Sequence, residues 1–163
     1  AAMTVLDNML LAARDHPGER FFTSLLPARW RARETANEER ARALLEKVGM
    51  GAKVDDEAGT LSGGQRKLLE LARALMVEPK LVMLDEPMAG VNPALTQSLL
   101  GHIQSLRDDG MTVLFVEHDM EVVFRICERI TVLELGAILA EGTPQEIRRH
   151  PEVVRAYLGS AAA

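Results

Sequence analysis

Two stretches joined by a helix constrain this chain more than any other part of it. Leu61-Ser62-Gly63-Gly64-Gln65 is followed by a run of helical periodicity, and then the apolar run 81–84 ends in Asp85-Glu86-Pro87. Ser62 is the predicted N-cap, because a serine before a helix places its side-chain oxygen on a free backbone N–H group. A helix start gathers unpaired N–H groups and the positive end of the helix dipole, which together bind anions. The first stretch therefore predicts an anion site at Ser62, Gly63, Gly64 and Gln65.

The apolar run delivers two carboxylates where the chain leaves the predicted sheet. Ligands bind in open α/β sheets outside the carboxyl ends of the strands. Asp85 is the candidate ligand for Mg²⁺, directly or through water, because hard cations prefer oxygen ligands. Glu86 is the candidate general base, since the turn of the chain can aim it at a water molecule instead of the metal. Together with the anion site, the two acids predict phosphate chemistry assisted by a divalent metal.

Strands and helices alternate through the second half of the chain. Apolar runs at 81–85, 112–116 and 130–135 are predicted strands, and helical patterns separate them. An apolar run without polar alternation indicates helices on both faces of the sheet, so the strand 81–85 is expected to be buried. A tight turn at Gly136 predicts that the last strand, 138–140, is antiparallel to the one before it. The pattern predicts an α/β layered domain with a mainly parallel sheet.

The first sixty residues show helical patterns and no strand. Helices are predicted at 5–14, where Thr4 is the N-cap, and at 34–48, with an acidic connector at 53–59. Between the two helices, periodicity is lost over 19–33, where aromatic and arginine side chains alternate. An irregular surface excursion is the favoured interpretation, and nucleic-acid binding is the weaker one, because the chain carries a net charge of −5. The expected division is a helical subdomain 1–76, an α/β core part 77–142 and C-terminal helices with a tail 143–163.

Composition excludes several classes of protein. The 163 residues are 47% hydrophobic, which suffices for one domain with a core. No apolar stretch approaches the roughly 18 residues of a membrane span, and no secretory leader is found. The single cysteine, Cys127, is expected to be a small core residue in a reducing compartment. The sequence therefore predicts a cytoplasmic protein without nucleic-acid binding or direct membrane insertion.

The pairing of Leu61-Ser62-Gly63-Gly64-Gln65 with an apolar strand ending in Asp85-Glu86-Pro87 resembles the ATP-binding cassette (ABC) ATPases. In that family the first stretch is the signature motif and the second is the Walker B strand. The resemblance implies a P-loop NTPase fold, with ATP and Mg²⁺ as ligands. It also implies that Glu86 is catalytic, that Asp85 binds the metal, and that Ser62, Gly63, Gly64 and Gln65 contact nucleotide.

Two further residues acquire roles from the resemblance. His118, in Phe115-Val116-Glu117-His118-Asp119, matches the switch histidine that contacts the γ-phosphate in the family. It follows a strand expected to run parallel to 81–85, which would place it at the same sheet edge as Glu86. Asn92 stands where many cassettes carry an aspartate that contacts the partner subunit. The implied partners are a second cassette subunit, closing head to tail around two nucleotides, and transmembrane permease subunits at the inner face of the cell membrane.

One family motif is missing from this sequence. The Gly-rich phosphate loop ends in Gly-Lys-Ser/Thr, and the chain contains no Gly-Lys pair. The resemblance therefore covers the part of a cassette after its glutamine loop, with about a third of the usual domain absent. This chain alone is expected to be inactive and not to bind MgATP with ordinary affinity. It is also expected to expose apolar surface and to self-associate or need a partner.

Several flanking segments indicate a subfamily, the ATP-binding subunits of branched-chain amino acid importers. Cassettes for urea import or lipopolysaccharide export are alternatives, and a non-catalytic interaction fragment is the rival from another class. Chromosome-maintenance and repair ATPases would need sustained heptads, which are absent, and translation-factor cassettes would need a second cassette in tandem. The indicative segments are 3–8, Phe21 with Phe22 and Leu25, 117–120, 142–147 and 156–159.

Overall fold

The computed structural model describes residues 3–13 and 27–158, and the chain divides into two compact units, 1–115 and 116–163. Each unit is described by itself below. The predicted three-part division, at 76/77 and 142/143, stays a prediction. Within the described ranges, no helix combines the length and the apolar character that crossing a bilayer requires.

Three helices pack against one another in the first unit: α1 (Val5–Leu10), α2 (Pro27–Lys47) and α3 (Gly63–Leu75). Helix α1 begins at the predicted cap, where Thr4 Oγ1 accepts the N–H of Asp7 at 3.1 Å. It ends earlier than the predicted Arg14, which lies outside the described residues. The reason is a tightening into i→i−3 bonds, from Ala12 N to Met9 O and from Ala13 N to Leu10 O.

Helix α2 corrects the expected irregular excursion for residues 27–33, which are helical. The helix begins at Pro27, whose fixed φ suits a first turn, and continues through Ala, Arg and Glu, which are good helix formers. Irregular structure is the sequence-based expectation here because aromatic residues and arginines alternate and no apolar stripe indicates a helix. Residues 19–26 lie outside the described part of the chain. The predicted core face is observed, with Ala41, Leu45 and Val48 buried and Leu44 half-buried.

The acidic connector 53–59 is fixed to the start of α1 rather than free. Val5 N donates to Asp56 O at 2.9 Å, and Leu6 N donates to Val54 O at 3.0 Å. A 3₁₀ turn at Ala58–Thr60 then leads directly to Ser62. The start of α3 is thus held in place by backbone hydrogen bonds from the first helix of the chain.

Strand β1 (Leu81–Asp85), helix α4 (Pro93–Asp108) and strand β2 (Thr112–Val116) follow, and β1 and β2 are neighbours in a two-stranded sheet. The prediction that β1 is buried throughout is wrong. Val82 is 3% exposed, whereas Leu81 is 46% and Met83 is 69% exposed. The described residues cover one face of this sheet only, so the side chains alternate between buried and exposed despite an apolar sequence. The expected exposure of apolar surface is therefore observed.

The second unit contains helix α5 (Met120–Ile126), strands β3 (Ile130–Glu134) and β4 (Ala137–Gly142), and helices α6 (Pro144–Arg149) and α7 (Pro151–Val153), with a π-helical turn at Val154–Leu158. Strands β3 and β4 form the predicted antiparallel hairpin. Its turn places Leu135 and Gly136 in the left-handed region, with φ of 50° and 81°. Such a turn matches the twist of the two strands, and glycine adopts it without strain.

We expect a pH-dependent contribution to stability from Glu146. At the start of α6 the Thr143 N–H (2.7 Å) and hydroxyl (2.9 Å) donate to its carboxylate and hold its pKa below the ordinary 4.5. A pKa that is lower in the folded state stabilises the fold above the unfolded pKa, and this stabilisation is lost as the pH falls through the folded pKa. Wild type should therefore be more stable than Glu146→Gln at pH 7, and the difference should shrink below pH 4.5.

Urea unfolding of both proteins over a pH series measures this difference directly. Other carboxyl groups titrate equally in the two proteins and cancel. Glutamine keeps an oxygen acceptor for the capping box, so the comparison isolates the charge. A stability difference that is the same at pH 3 and pH 7 contradicts the prediction.

Candidate functional site

The start of α3 is a capping box centred on Ser62. Ser62 has extended backbone angles, its Oγ accepts the N–H of Gln65 at 3.3 Å, and its own N–H donates to Gln65 Oε1 at 2.9 Å. The predicted N-cap is confirmed. Serine and glutamine three residues apart satisfy two otherwise unpaired N–H groups at this helix start.

The capping box determines which groups of the predicted anion site can meet a ligand. Gln65 uses its side-chain oxygen and its N–H in the box, so it acts as a structural partner of Ser62. The N–H groups of Gly63 and Gly64 have no carbonyl one turn earlier to bond within the helix. An added Cβ at Gly63 would meet no atom within 4 Å, so this side of the helix start is open. The two glycine amides and the Ser62 hydroxyl are the candidate anion donors.

The acid pair lies at the end of β1, and both side chains are exposed. Glu86 has φ +42°, in the left-handed region, and its carbonyl accepts the N–H of Ala89 at 3.1 Å. A non-glycine residue pays of order 1 kcal/mol or more for this conformation, which concentrates at functional sites. The turn takes Glu86 out of the alternation of β1 that governs Asp85. The backbone conformation therefore changes between the two acids.

The residues around Asp85 fit a magnesium ion only in combination with phosphate. In the part of the chain that the structure describes, no group of three or more His, Cys, Asp or Glu side chains could hold a metal ion by itself. Mg²⁺ in phosphoryl-transfer sites takes one or two carboxylates and completes its shell with phosphate oxygens and water. An exposed aspartate at a strand end is a suitable donor for that arrangement.

Asn92 caps helix α4. Its Oδ1 accepts the N–H of Leu95 at 3.0 Å, and Pro93 occupies the first helical turn. Leu95 in turn reaches the start of α3: a Cβ built on the buried Gly64 would lie 3.0 Å from Leu95 Cγ and 3.5 Å from Val91 Cγ1, and would overlap a methyl of Leu95. The structure thus brings Gly64, in the candidate anion site, into contact with Leu95 and Val91 on either side of Asn92. Sequence reasoning missed this, because nothing in either segment signals it.

His118 belongs to the second unit and follows β2 directly. Its side chain is 75% exposed, with Nδ1 4.0 Å from Glu117 Oε2. Asp119 Oδ1 accepts the N–H groups of Glu121 and Val122 at 3.0 and 3.3 Å and so caps α5. His118 therefore lies in the short segment between the end of β2 and the capped start of α5. Its predicted proximity to Glu86 stays a prediction.

A hollow of about 230 Å³ lies elsewhere in the first unit, and its lining includes none of the candidate residues. Two ion pairs, Arg40–Glu78 and Lys47–Asp109, stand at its rim. Most of the candidate residues lie exposed at helix and strand ends, whereas Gly64 is buried and Gln65 is half-buried. The hollow is lined by Arg40, Leu44, Lys47, Leu75, Glu78, Pro79, Leu106, Asp109 and Met111.

Cys127 behaves as a packed residue. It is half-buried just beyond the end of α5, and this burial raises the pKa of its thiol. A raised pKa leaves little thiolate at neutral pH, and the thiolate is the reactive form. The expected position in the core is wrong, because Cys127 follows the helix and keeps part of its surface exposed.

A sequence profile of the family described as ABC transporter matches residues 2–89, more than half of the chain. The chain belongs to the ABC transporter family. A second profile, described as branched-chain amino acid ATP-binding cassette transporter, matches residues 137–163. The recognition made from the two motifs is thereby confirmed.

Curated relatives of this ABC transporter chain share about two fifths of its residues. The probable branched-chain amino acid transport ATP-binding protein LivG of Archaeoglobus fulgidus is 43% identical over 158 residues, which are 97% of this chain and 61% of the relative. The high-affinity branched-chain amino acid transport ATP-binding protein BraF of Pseudomonas aeruginosa is 43% identical over 162 residues, 98% and 63% respectively. The chain thus spans less than two thirds of the length of these relatives.

Solved structures agree on the fold. An ATP-binding cassette of an ABC transporter in its ADP conformation matches with a TM-score of 0.76 and 38% identity, over 97% of this chain and 63% of that one. A nucleotide-free ATP-binding cassette matches with a TM-score of 0.72 and 36% identity, over 97% and 60%. The predicted α/β fold of the P-loop NTPase type is confirmed.

We expect Ser62→Ala to lower the free energy of unfolding by about 1 kcal/mol, because the capping box loses its hydroxyl. Ser62→Asp should stay within about 0.5 kcal/mol of wild type, since aspartate caps as well as serine. Urea unfolding of the 163-residue chain measures both. Ser105→Ala, an exposed serine inside α4, is the matched control and should change stability little. If Ser62→Ala and Ser105→Ala are indistinguishable, the cap does not stabilise α3.

Proposed function

We propose that this chain is part of an ATP-binding and ATP-hydrolysing subunit of an ABC importer for branched-chain amino acids. It supplies the signature helix start, the Walker B acids and the switch histidine. One observation carries the proposal: in a chain of this family, the capped start of α3, where the amides of Gly63 and Gly64 have no partner within the helix, contacts the loop that follows Asp85 and Glu86. Anion donors and acids are both needed for phosphoryl transfer, and in the proposed dimer this chain supplies them to two different nucleotides.

Each residue has a distinct part in the proposed reaction. Glu86 accepts a proton from the attacking water, and its position after the turn separates it from the metal ligand. Asp85 holds Mg²⁺, which neutralises charge on the nucleotide phosphates when bound. His118 contacts the γ-phosphate from the end of β2. Positioning and charge neutralisation make up most of the catalysis in reactions of this type.

The signature residues act on a second nucleotide. The amides of Gly63 and Gly64, with the Ser62 hydroxyl, donate to the phosphates of ATP held by a second cassette subunit. Asn92 lies on the same surface, through its link to Leu95 and Gly64. ATP that binds the closed dimer better than the open one drives closure, and hydrolysis releases it. The partners are therefore a second cassette and transmembrane permease subunits, with the protein peripheral on the inner face of the cell membrane.

Residues outside these 163 complete the proposed site. The chain has no Gly-Lys pair to form a phosphate loop, and it spans less than two thirds of its relatives. The exposed apolar face of β1 agrees with a covering surface that these residues do not provide. The same two observations favour the second candidate, a non-catalytic interaction fragment.

The solute assignment rests on the profile match at 137–163 and on the printed functions of the relatives. The C-terminal match covers α6 and α7, which lie apart from the catalytic candidates in sequence. It therefore adds evidence that is independent of the signature and Walker B motifs. Urea and lipopolysaccharide cassettes remain the alternatives within the family.

We expect Glu86→Gln to lower MgATP turnover of the complete subunit by about 100-fold or more, because general base catalysis contributes factors of this size. The amide is nearly isosteric but cannot accept the proton. Steady-state phosphate release measures the effect, with ATP binding followed in parallel.

Glu70→Gln is the matched control for this experiment. Glu70 is an exposed carboxylate on α3, 3.7 Å from Lys67 Nζ, and its loss should leave turnover within about twofold, as for other surface substitutions. Unchanged turnover in Glu86→Gln would sink the general-base assignment. A complete subunit without any MgATP turnover would favour the interaction fragment.

A further inference from the structure

The contact between α3 and α4 closes around a missing side chain. Gly64 is buried, and a Cβ at this position would overlap a methyl of Leu95 and lie 3.0 Å from its Cγ. Gly63, one residue earlier, has open space at the equivalent point. The space beside Gly64, where a side chain would lie, is filled by Leu95 and is called the Gly64 notch here. The corresponding space beside Gly63 is empty.

Leu95 is itself fixed by the loop that follows the acids. Its N–H donates to Asn92 Oδ1 at 3.0 Å, which places it in the first turn of α4. Val91, one residue before the cap, contributes a second contact near Gly64, with Cγ1 3.5 Å from the built Cβ. Val91 and Leu95, on either side of Asn92, therefore both lie close to Gly64.

Backbone hydrogen bonds continue this link to Glu86. Ala89 N donates to Glu86 O at 3.1 Å, and Val91 N donates to Met88 O at 3.2 Å. The loop is therefore a succession of tight turns with little freedom to stretch. These two bonds and the contact at Gly64 form one connected path from Glu86 to the start of α3, whose coupling the experiment below measures.

We infer that Leu95 is a positioning residue: its side chain, seated in the Gly64 notch, sets the distance between the signature amides and the loop of the candidate base Glu86. The inference rests on the proposed function. Leu95 touches neither nucleotide nor water in the proposed reaction and acts through Gly64 and Asn92. In the proposed dimer the signature amides and Glu86 act on different nucleotides, so a shift of Leu95 displaces a group in each site, and a misplacement of about 1 Å can cost roughly 10²-fold in rate.

The experiment is a double-mutant cycle in the complete subunit with Gly64→Ala, Leu95→Ala and both together. Each single variant should lower kcat for MgATP about tenfold, with a change in KM for ATP below about twofold, because the loss is in positioning rather than in binding. In the double variant the new methyl at Gly64 occupies space that Leu95 has left. Its kcat should therefore exceed the product of the two single effects.

Two further variants separate positioning from stability. Leu99→Ala truncates a leucine one turn further along α4, which is 2% exposed, and should lower the unfolding midpoint without changing kcat of the folded fraction. Leu95→Met, of similar volume, should restore kcat to within about threefold of wild type. If Leu95→Ala fails to fold, Leu95→Val replaces it in the cycle.

The outcomes distinguish this inference from the proposed function. Absence of turnover in wild type, or normal turnover in Glu86→Gln, overturns the proposed function. Normal wild-type turnover together with unchanged kcat in Leu95→Ala, or with strictly multiplicative effects of the two substitutions, overturns the positioning role. A loss of kcat in Leu99→Ala equal to that in Leu95→Ala overturns it as well, since general destabilisation would then explain both.

Discussion

The capped start of α3 is the interaction on which the rest of the first unit depends. Its position is fixed from one side by the connector that is hydrogen-bonded to α1, and from the other by Leu95 in the Gly64 notch. The capping box pairs Ser62 with Gln65 and leaves the amides of Gly63 and Gly64 without a partner within the helix. A loose helix start would spread those donors over many orientations, and the entropy of ordering them would count against anion binding. Because this helix start is held on both sides in the folded protein, the entropy cost of ordering the donors falls on folding and not on anion binding.

Strand β1, in contrast, leaves apolar side chains exposed. Its apolar side chains at Leu81 and Met83 stand exposed, although burial of each would be worth roughly 1.5–3 kcal/mol. The strand nevertheless holds its pairing with β2, since Val82 and the other inward side chains anchor one face. One face of β1 packs in the core, and burial of its other face by a second surface would stabilise the protein further.

Local chemistry could be predicted from the sequence, and contacts between distant segments could not. The caps predicted at Thr4 and Ser62 were correct because each uses a side chain within three residues of its partner. The family followed from two motifs. The burial of β1 and the seat of Leu95 depend on what lies opposite in space, which periodicity does not record. The left-handed Glu86 was missed for a related reason, because no glycine or asparagine signals it.

The uncharged Asn92 illustrates how closely the helix caps and the proposed phosphate contacts are linked. An aspartate would cap α4 equally well and would gain about 0.3–1 kcal/mol from the helix dipole. The Asn92 side chain bonds the backbone of Leu95, whose own side chain touches Gly64. Asn92 is exposed, so a carboxylate in its place would be screened by water and would repel phosphates at the start of α3 only weakly. The contact between Leu95 and Gly64 therefore depends on the capping oxygen of residue 92, which asparagine and aspartate both supply, and not on a charge at this position.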